Sequence, residues 1–326
     1  MRPYILPMLK SLFVLSLIVF FSLPIQAGQL EDGVQAYASW KMDEAMKLLR
    51  PLAEKGNPAA QYYVGELTGW YEKPNDLAAA FKWFRLAADQ GYAPAEARVG
   101  DMYMMTDSGI KQDYSEARKW LEKSALHGYA RAQWQLGDIY HFGRGVPKDF
   151  KTSMKWFRMA ADQGDSGAQG MIGFMYQSGE GVPKNSPEAY FWLSLSERLG
   201  ALPVGLSSKE CAKNLTTEQK SAVDKRIVEW LHRTAEQGQI GSQFALGEMY
   251  QTGQVAERNL VQAYKWYSLT VTAGDWYNTV PQRGDGLAAK AIKVISNQMT
   301  AEQIKEGKRL AAEWKPAESI PIAKPQ

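Results

Sequence analysis

The sequence predicts an all-α protein, a right-handed αα superhelix of about seven helix-turn-helix repeats. Three observations carry that prediction. Tryptophan followed eight residues later by glycine recurs as Trp83/Gly91, Trp120/Gly128, Trp156/Gly164, Trp192/Gly200, Trp230/Gly238 and Trp266/Gly274. The intervals between tryptophans are 37, 36, 36, 38 and 36 residues, and Leu48 with Gly56 keeps the frame 35 residues earlier. Helix-starting residues and glycine-proline loops recur in the same register. A fixed period of this length marks stacked helical repeats, because one hairpin alone cannot bury its apolar stripe.

The chain opens on a segment unlike the rest. Arg2 and Lys10 precede an unbroken run of apolar residues and serine from Leu12 to Leu23, and Pro24 to Ala27 lead into a polar chain. That layout predicts a secretory signal peptide over residues 1–27. The run falls short of the roughly 20 residues that span a bilayer, and an uncleaved membrane anchor is the alternative. Removing the segment leaves 36 Lys and Arg against 35 Asp and Glu, so the mature chain is nearly neutral. A nucleic-acid partner needs clustered positive charge and is not expected. One cysteine, Cys211, excludes an internal disulfide, so packing must hold the fold.

Each repeat then follows in order. A first helix reads AQYYVGEL, AEARVGDMY, AQWQLGDIY, AQGMIGFMY or SQFALGEMY, with alanine at 60, 95, 132 and 168 and glycine at 65, 100, 137, 173 and 247. Glycine within a helix costs about 1 kcal/mol relative to alanine, so five in register predict close approach of a partner helix. A loop such as FGRGVPKD (142–149) or SGEGVPKN (178–185) ends that helix. Asp76, Asp113, Asp149, Asn185 or Asn259, seven residues before a tryptophan, then caps the second helix. The glycine after the tryptophan closes it in the left-handed conformation. The stripe Trp156, Met159 and Ala160 predicts that the tryptophans are buried between repeats.

A longer duplication overlies this period. Residues 208–230 resemble 292–314, pairing Thr216 with Thr300, Gln219 with Gln303 and Trp230 with Trp314, and both Thr-x-x-Gln pairs predict capping boxes. The organisation read from the sequence is therefore a signal peptide over 1–27, a first array with a closing long helix over 28–238, a second, shorter array over 239–315, and a disordered tail over 316–326. The segment 275–286 is expected to be an exposed loop.

The unit A-x-x-x-L-G-x-x-Y, then G-x-G-V, then D-x-x-x-A-x-x-W-x-x-x-A-A-x-x-G resembles the Sel-one-like (SEL-like) repeat, a cousin of the tetratricopeptide repeat. Residues 129–164 fit it nearly throughout, the likeness runs over roughly 33–274, and the LTTEQ and MTAEQ helices are similar to those of exported bacterial members. The repeat holding Trp230 departs from it, with no recognisable first helix and Val223 at the cap position. The loop at 71–76 is shortened. The resemblance implies a helical solenoid and adaptor or scaffold roles with varied partners.

Chemistry-bearing patterns are few. His127, His141 and His232 fall at unrelated repeat positions, with no HExxH and no cysteine cluster. Neither a metal nor a cofactor is expected. GRGVPKD and GEGVPKN lack phosphate-loop spacing and read as turns. GDSGA (164–168) does not match a nucleophile elbow, so Ser166 reads as a junction residue, and Cys211 as a semi-buried thiol. One pattern is open. The residue after the mid-helix glycine is Glu66, Asp101, Asp138 or Glu248, broken only by Phe174. Stacking would align these as a strip that attracts a basic or amide-rich segment, though a solvated polar face is the simpler reading. Tyr103, Tyr140, Tyr176 and Tyr250 read as packing residues.

The function expected is a non-catalytic protein-protein interaction scaffold, exported to the periplasm or secreted, that binds a protein or peptide. A membrane enters only if the N-terminal segment stays attached. The alternative is a cell-envelope hydrolase or other cell-wall-modifying enzyme. The exported relatives implied there carry paired cysteines in each repeat, which this chain lacks.

Overall fold

The computed structural model describes residues 28–72, 76–106, 109–200, 207–254, 257–272 and 285–317. The signal segment, most of the 275–286 segment and residues 318–326 lie outside them. The described residues are helical throughout, with no strand among them. Two compact units meet inside one helix, the first ending at Lys123 and the second starting at Ser124. The 238/239 boundary read from the duplication lies within the second unit.

The first unit holds α1 (residues 28–38), α2 (Met42–Glu54), α3 (Pro58–Leu67) with a π-helical turn (Thr68–Glu72), α4 (Leu77–Ala88), α5 (Ala93–Met104) and most of α6 (Tyr114–Leu126). The second continues with α7 (Ala130–Phe142), α8 (Phe150–Asp162), α9 (Ser166–Ser178), α10 (Ser186–Arg198), the short α11 (Ser208–Ala212), α12 (Thr217–Glu236), α13 (Ile240–Thr252), α14 (Leu260–Thr272), α15 (Asp285–Ser296) and α16 (Ala301–Glu313). The weak repeat around Trp230 thus has a first helix after all, of five residues. Its second helix starts at Thr217, so Val223 lies inside the helix and Thr216 caps it.

The capping residues work as their chemistry requires. Asp76 accepts from the Ala79 N–H at 3.1 Å, Asp113 from Glu116 at 3.0 Å, Asp149 from Thr152 at 3.0 Å, Asn185 from Glu188 at 3.1 Å and Asn259 from Gln262 at 3.1 Å. Thr216 with Gln219 and Thr300 with Gln303 form reciprocal capping boxes. The glycines at 91, 128, 164, 200 and 238 all take positive φ, which lets each second helix stop without a Cβ clash.

The tightest packing belongs to the residue after each tryptophan. Leu49, Phe84, Leu121, Phe157, Leu193, Leu231 and Tyr267 are at most 2% exposed. Trp120, Trp192, Trp230 and Trp266 are buried too, but Trp83 and Trp156 are half-buried. The mid-helix glycines face that following residue. A methyl on Gly33 would lie 2.7 Å from Leu49, on Gly65 2.7 Å from Phe84, on Gly100 2.7 Å from Leu121, on Gly173 2.6 Å from Leu193 and on Gly247 2.6 Å from Tyr267. On Gly137 it would meet the Phe157 ring closer still. These six hairpins close because the first helix lacks a side chain where the second inserts one; α11, with no glycine, is the exception.

In four hairpins a buried amide links the first helix to the helix before it. The Nε2 of Gln61, Gln133, Gln169 and Gln243 donates to the carbonyls of Ala53, Ala125, Ala161 and Ala235 at 3.1–3.3 Å. Those carbonyls belong to last turns, where each also accepts the N–H of the closing glycine.

Candidate functional site

The predicted carboxylates are already engaged. In the first unit, Arg98 lies 2.6 Å from Glu66 and 3.7 Å from Asp101, bringing the two together. Burial disfavours the Arg98 charge, but the two carboxylates more than offset this and hold its pKa above the ordinary value. In the second unit, Asp138 pairs with Arg144 at 2.8 Å. Burial raises the Asp138 pKa against that arginine. Glu248 is exposed on α13, and Phe174 is half-buried between them in sequence order. Tyr103 packs on Phe81 with ring centroids 5.6 Å apart, and Tyr250 meets His232 through a 2.8 Å hydrogen bond.

Ser166, Cys211 and the histidines serve separate local contacts. The Ser166 carbonyl accepts from Ser196 at 2.8 Å. The buried Cys211 thiol donates to Gln177 at 2.9 Å, and burial raises its pKa. His141 lies 3.3 Å from Glu180 among phenylalanine rings, and burial lowers its pKa despite that carboxylate. His127 is exposed. Among the described residues no group of three or more His, Cys, Asp and Glu could hold a metal ion. No described helix is long and apolar enough to cross a membrane.

A concavity in the second unit collects the groups a ligand could use. The turns before α7, α9 and α13 open onto one groove of about 480 Å³, with Trp134, Leu199 and Ile240 as apolar walls. Tyr129 and Gln239 precede α7 and α13 in extended conformation and make no side-chain cap bond. Both helices therefore present first-turn N–H groups and the positive end of their dipoles. α9 differs, because Asp165 accepts from the Ala168 N–H at 2.7 Å. Burial raises the Asp165 pKa against its bonds to Ala168 and Gly167.

Two further polar atoms there are buried without a hydrogen bond, the Trp134 indole N–H and the Gln239 Oε1. A methyl on Gly167 would lie 3.1 Å from that indole nitrogen, and one on Gly164 2.6 Å from the Gln239 oxygen. Glycine at both positions lets the backbone lie close against these two buried atoms. The groove was not legible in the sequence, since Trp134 falls outside the Trp-Gly register and the three turns meet only through stacking.

A family model described as the Sel1 repeat matches residues 58–92, 93–129, 130–165, 166–200 and 240–275. The gap at 201–239 holds the repeat with the shortened first helix. Among solved structures, a protective antigen of uropathogenic Escherichia coli displaying an SLR fold is 23% identical, with a TM-score of 0.47 over 89% of this chain and 68% of that one. A Sel1 repeat protein from Oxalobacter formigenes is 24% identical, with a TM-score of 0.48 over 75% of this chain and 99% of that one. No curated protein matches the chain.

Proposed function

The chain belongs to the Sel1 repeat family, and from that premise we propose that it is a non-catalytic docking scaffold, exported to the periplasm or beyond, that receives an extended segment of a partner protein. Sel1 repeats in general mediate protein-protein contact. The second-unit groove carries the finer reading. Its lining carries a buried, unpaired indole donor and amide acceptor and two uncapped helix starts between apolar walls. A peptide backbone supplies complementary donors and acceptors, and its side chains fit the walls. Export rests on the signal-like segment over 1–27, and N-terminal sequencing of the mature protein tests it.

The docking role is tested by a photoreactive residue in place of Arg131, on the groove rim. A partner adduct is expected there, and Gly241→Trp, which fills the groove beside Leu199, should reduce it at least tenfold. The same label at exposed Lys155 on α8 should give none. An adduct indifferent to Gly241→Trp counts against the groove.

A further inference from the structure

At the loop ends of α1 and α3 the chain replaces its usual helix stop with exposed aromatic residues. α7, α9 and α13 each end in a left-handed glycine, Gly143, Gly179 and Gly253. After α1 the left-handed residue is Trp40, at φ 59°, the only non-glycine residue with positive φ among those described. The conformation is held by the Trp40 N–H on Tyr37 at 3.1 Å and the Lys41 N–H on Ala36 at 2.9 Å. After α3 the chain passes directly into a π-helical turn, Thr68–Glu72, that carries Trp70 and Tyr71, with no left-handed glycine stop. Trp40, Trp70 and Tyr71 are 69%, 40% and 38% exposed.

This arrangement costs stability twice. A β-carbon in the left-handed region is strained, and a large apolar ring gains little when it faces water. At Trp40, 69% exposed, burial offsets neither cost. Strained backbone and π-turns recur at functional sites.

The three rings form one corner. Trp40 and Trp70 centroids lie 5.8 Å apart at 62°, and Trp70 and Tyr71 6.0 Å apart at 71°. Steeply inclined rings make walls rather than the flat platform on which a sugar ring stacks. Asp43 sits at the edge, accepting from the Tyr71 hydroxyl at 3.0 Å, with its own side chain exposed. Residues 28–72 carry seven carboxylates against four lysines and arginines, whereas the whole chain has a net charge of +3.

We infer that the Trp40–Trp70–Tyr71 corner is a docking site for an arginine-bearing segment of a partner protein. A guanidinium lies flat on an indole face while its N–H groups reach a neighbouring carboxylate, which a lysine or an aliphatic side chain does less well. The first unit already uses cation–π contact, with Arg85 4.5 Å and Lys123 4.0 Å from the Trp120 ring centre. The inference rests on the scaffold reading and adds a second contact point and the chemistry of its partner.

The test uses the full chain and a fluorescent glycine-serine peptide carrying spaced arginines, beside the same peptide with citrulline in place of arginine. The arginine peptide should bind at least tenfold more tightly. Trp40→Gly should weaken it at least tenfold while the melting temperature holds or rises, because glycine relieves the strained turn. Asp43→Asn should weaken it severalfold. Equal binding of the two peptides, binding indifferent to Trp40→Gly, or a fall in melting temperature in that variant overturns the inference. So does displacement of the arginine peptide by an uncharged chitooligosaccharide. The Arg131 adduct does not involve Trp40, so failure here is distinguishable from failure of the scaffold reading.

Discussion

Phe157 and its counterparts hold the hairpins closed, and the tryptophans beside them play a lesser part than their regularity implies. Phe157 is fully buried against Gly137, whereas Trp156 is half-buried. Phe157→Ala should cost about 3–5 kcal/mol, and Trp156→Ala distinctly less, both read by denaturant unfolding. The tryptophan register is visible in the sequence because one residue type repeats. The following position passes through leucine, phenylalanine and tyrosine, so it carries no single-letter signal. Its glycine partners did announce a close approach, although not what approached. Histidine ionisation acts at this scale too. Burial holds His141 and His232 below the ordinary value of 6.5. The fold thus favours their neutral forms, and that contribution is complete above pH 6.5 and is lost as pH falls through the lower folded values. Stability should decline on acidification from neutral pH before the carboxylates titrate. Replacing both histidines with phenylalanine should flatten that slope in melting curves recorded against pH.

The hairpin is the element that recurs, and its ends were the most legible part of the fold. Asp76, Asp113, Asp149, Asn185 and Asn259 cap where their spacing places them, because capping is local chemistry. The bonds between hairpins were less legible. Gln61, Gln133 and Gln169 follow alanine in the sequence and Gln243 follows serine, yet their role depends on a carbonyl eight residues back that is exposed only when the preceding helix stops. Gln163 extends one such link by donating to Gln133 at 2.7 Å. Gln133→Ala should cost about 0.5–1.5 kcal/mol by removing the buried bond to the Ala125 carbonyl, which then keeps only the Gly128 N–H. Hydrogen exchange should then rise first at the α6–α7 and α8–α9 turns. Unchanged exchange at those turns would show that apolar packing alone joins the hairpins.

At the scale of the whole molecule, the proposed function rests on where turns meet rather than on any motif along the chain. Glu66, Asp101 and Asp138 are found at their repeat positions, but their arginine partners, Arg98 and Arg144, lie outside the pattern that located them. The groove is further from sequence reasoning. Its walls come from Trp134, Leu199 and Ile240, brought together only by stacking. Hydrogen-deuterium exchange of the full chain with and without its captured partner tests whether this groove receives a partner segment. Exchange should slow at residues 130–133 and 240–243, the first turns of α7 and α13. Protection elsewhere with those turns unchanged would contradict it.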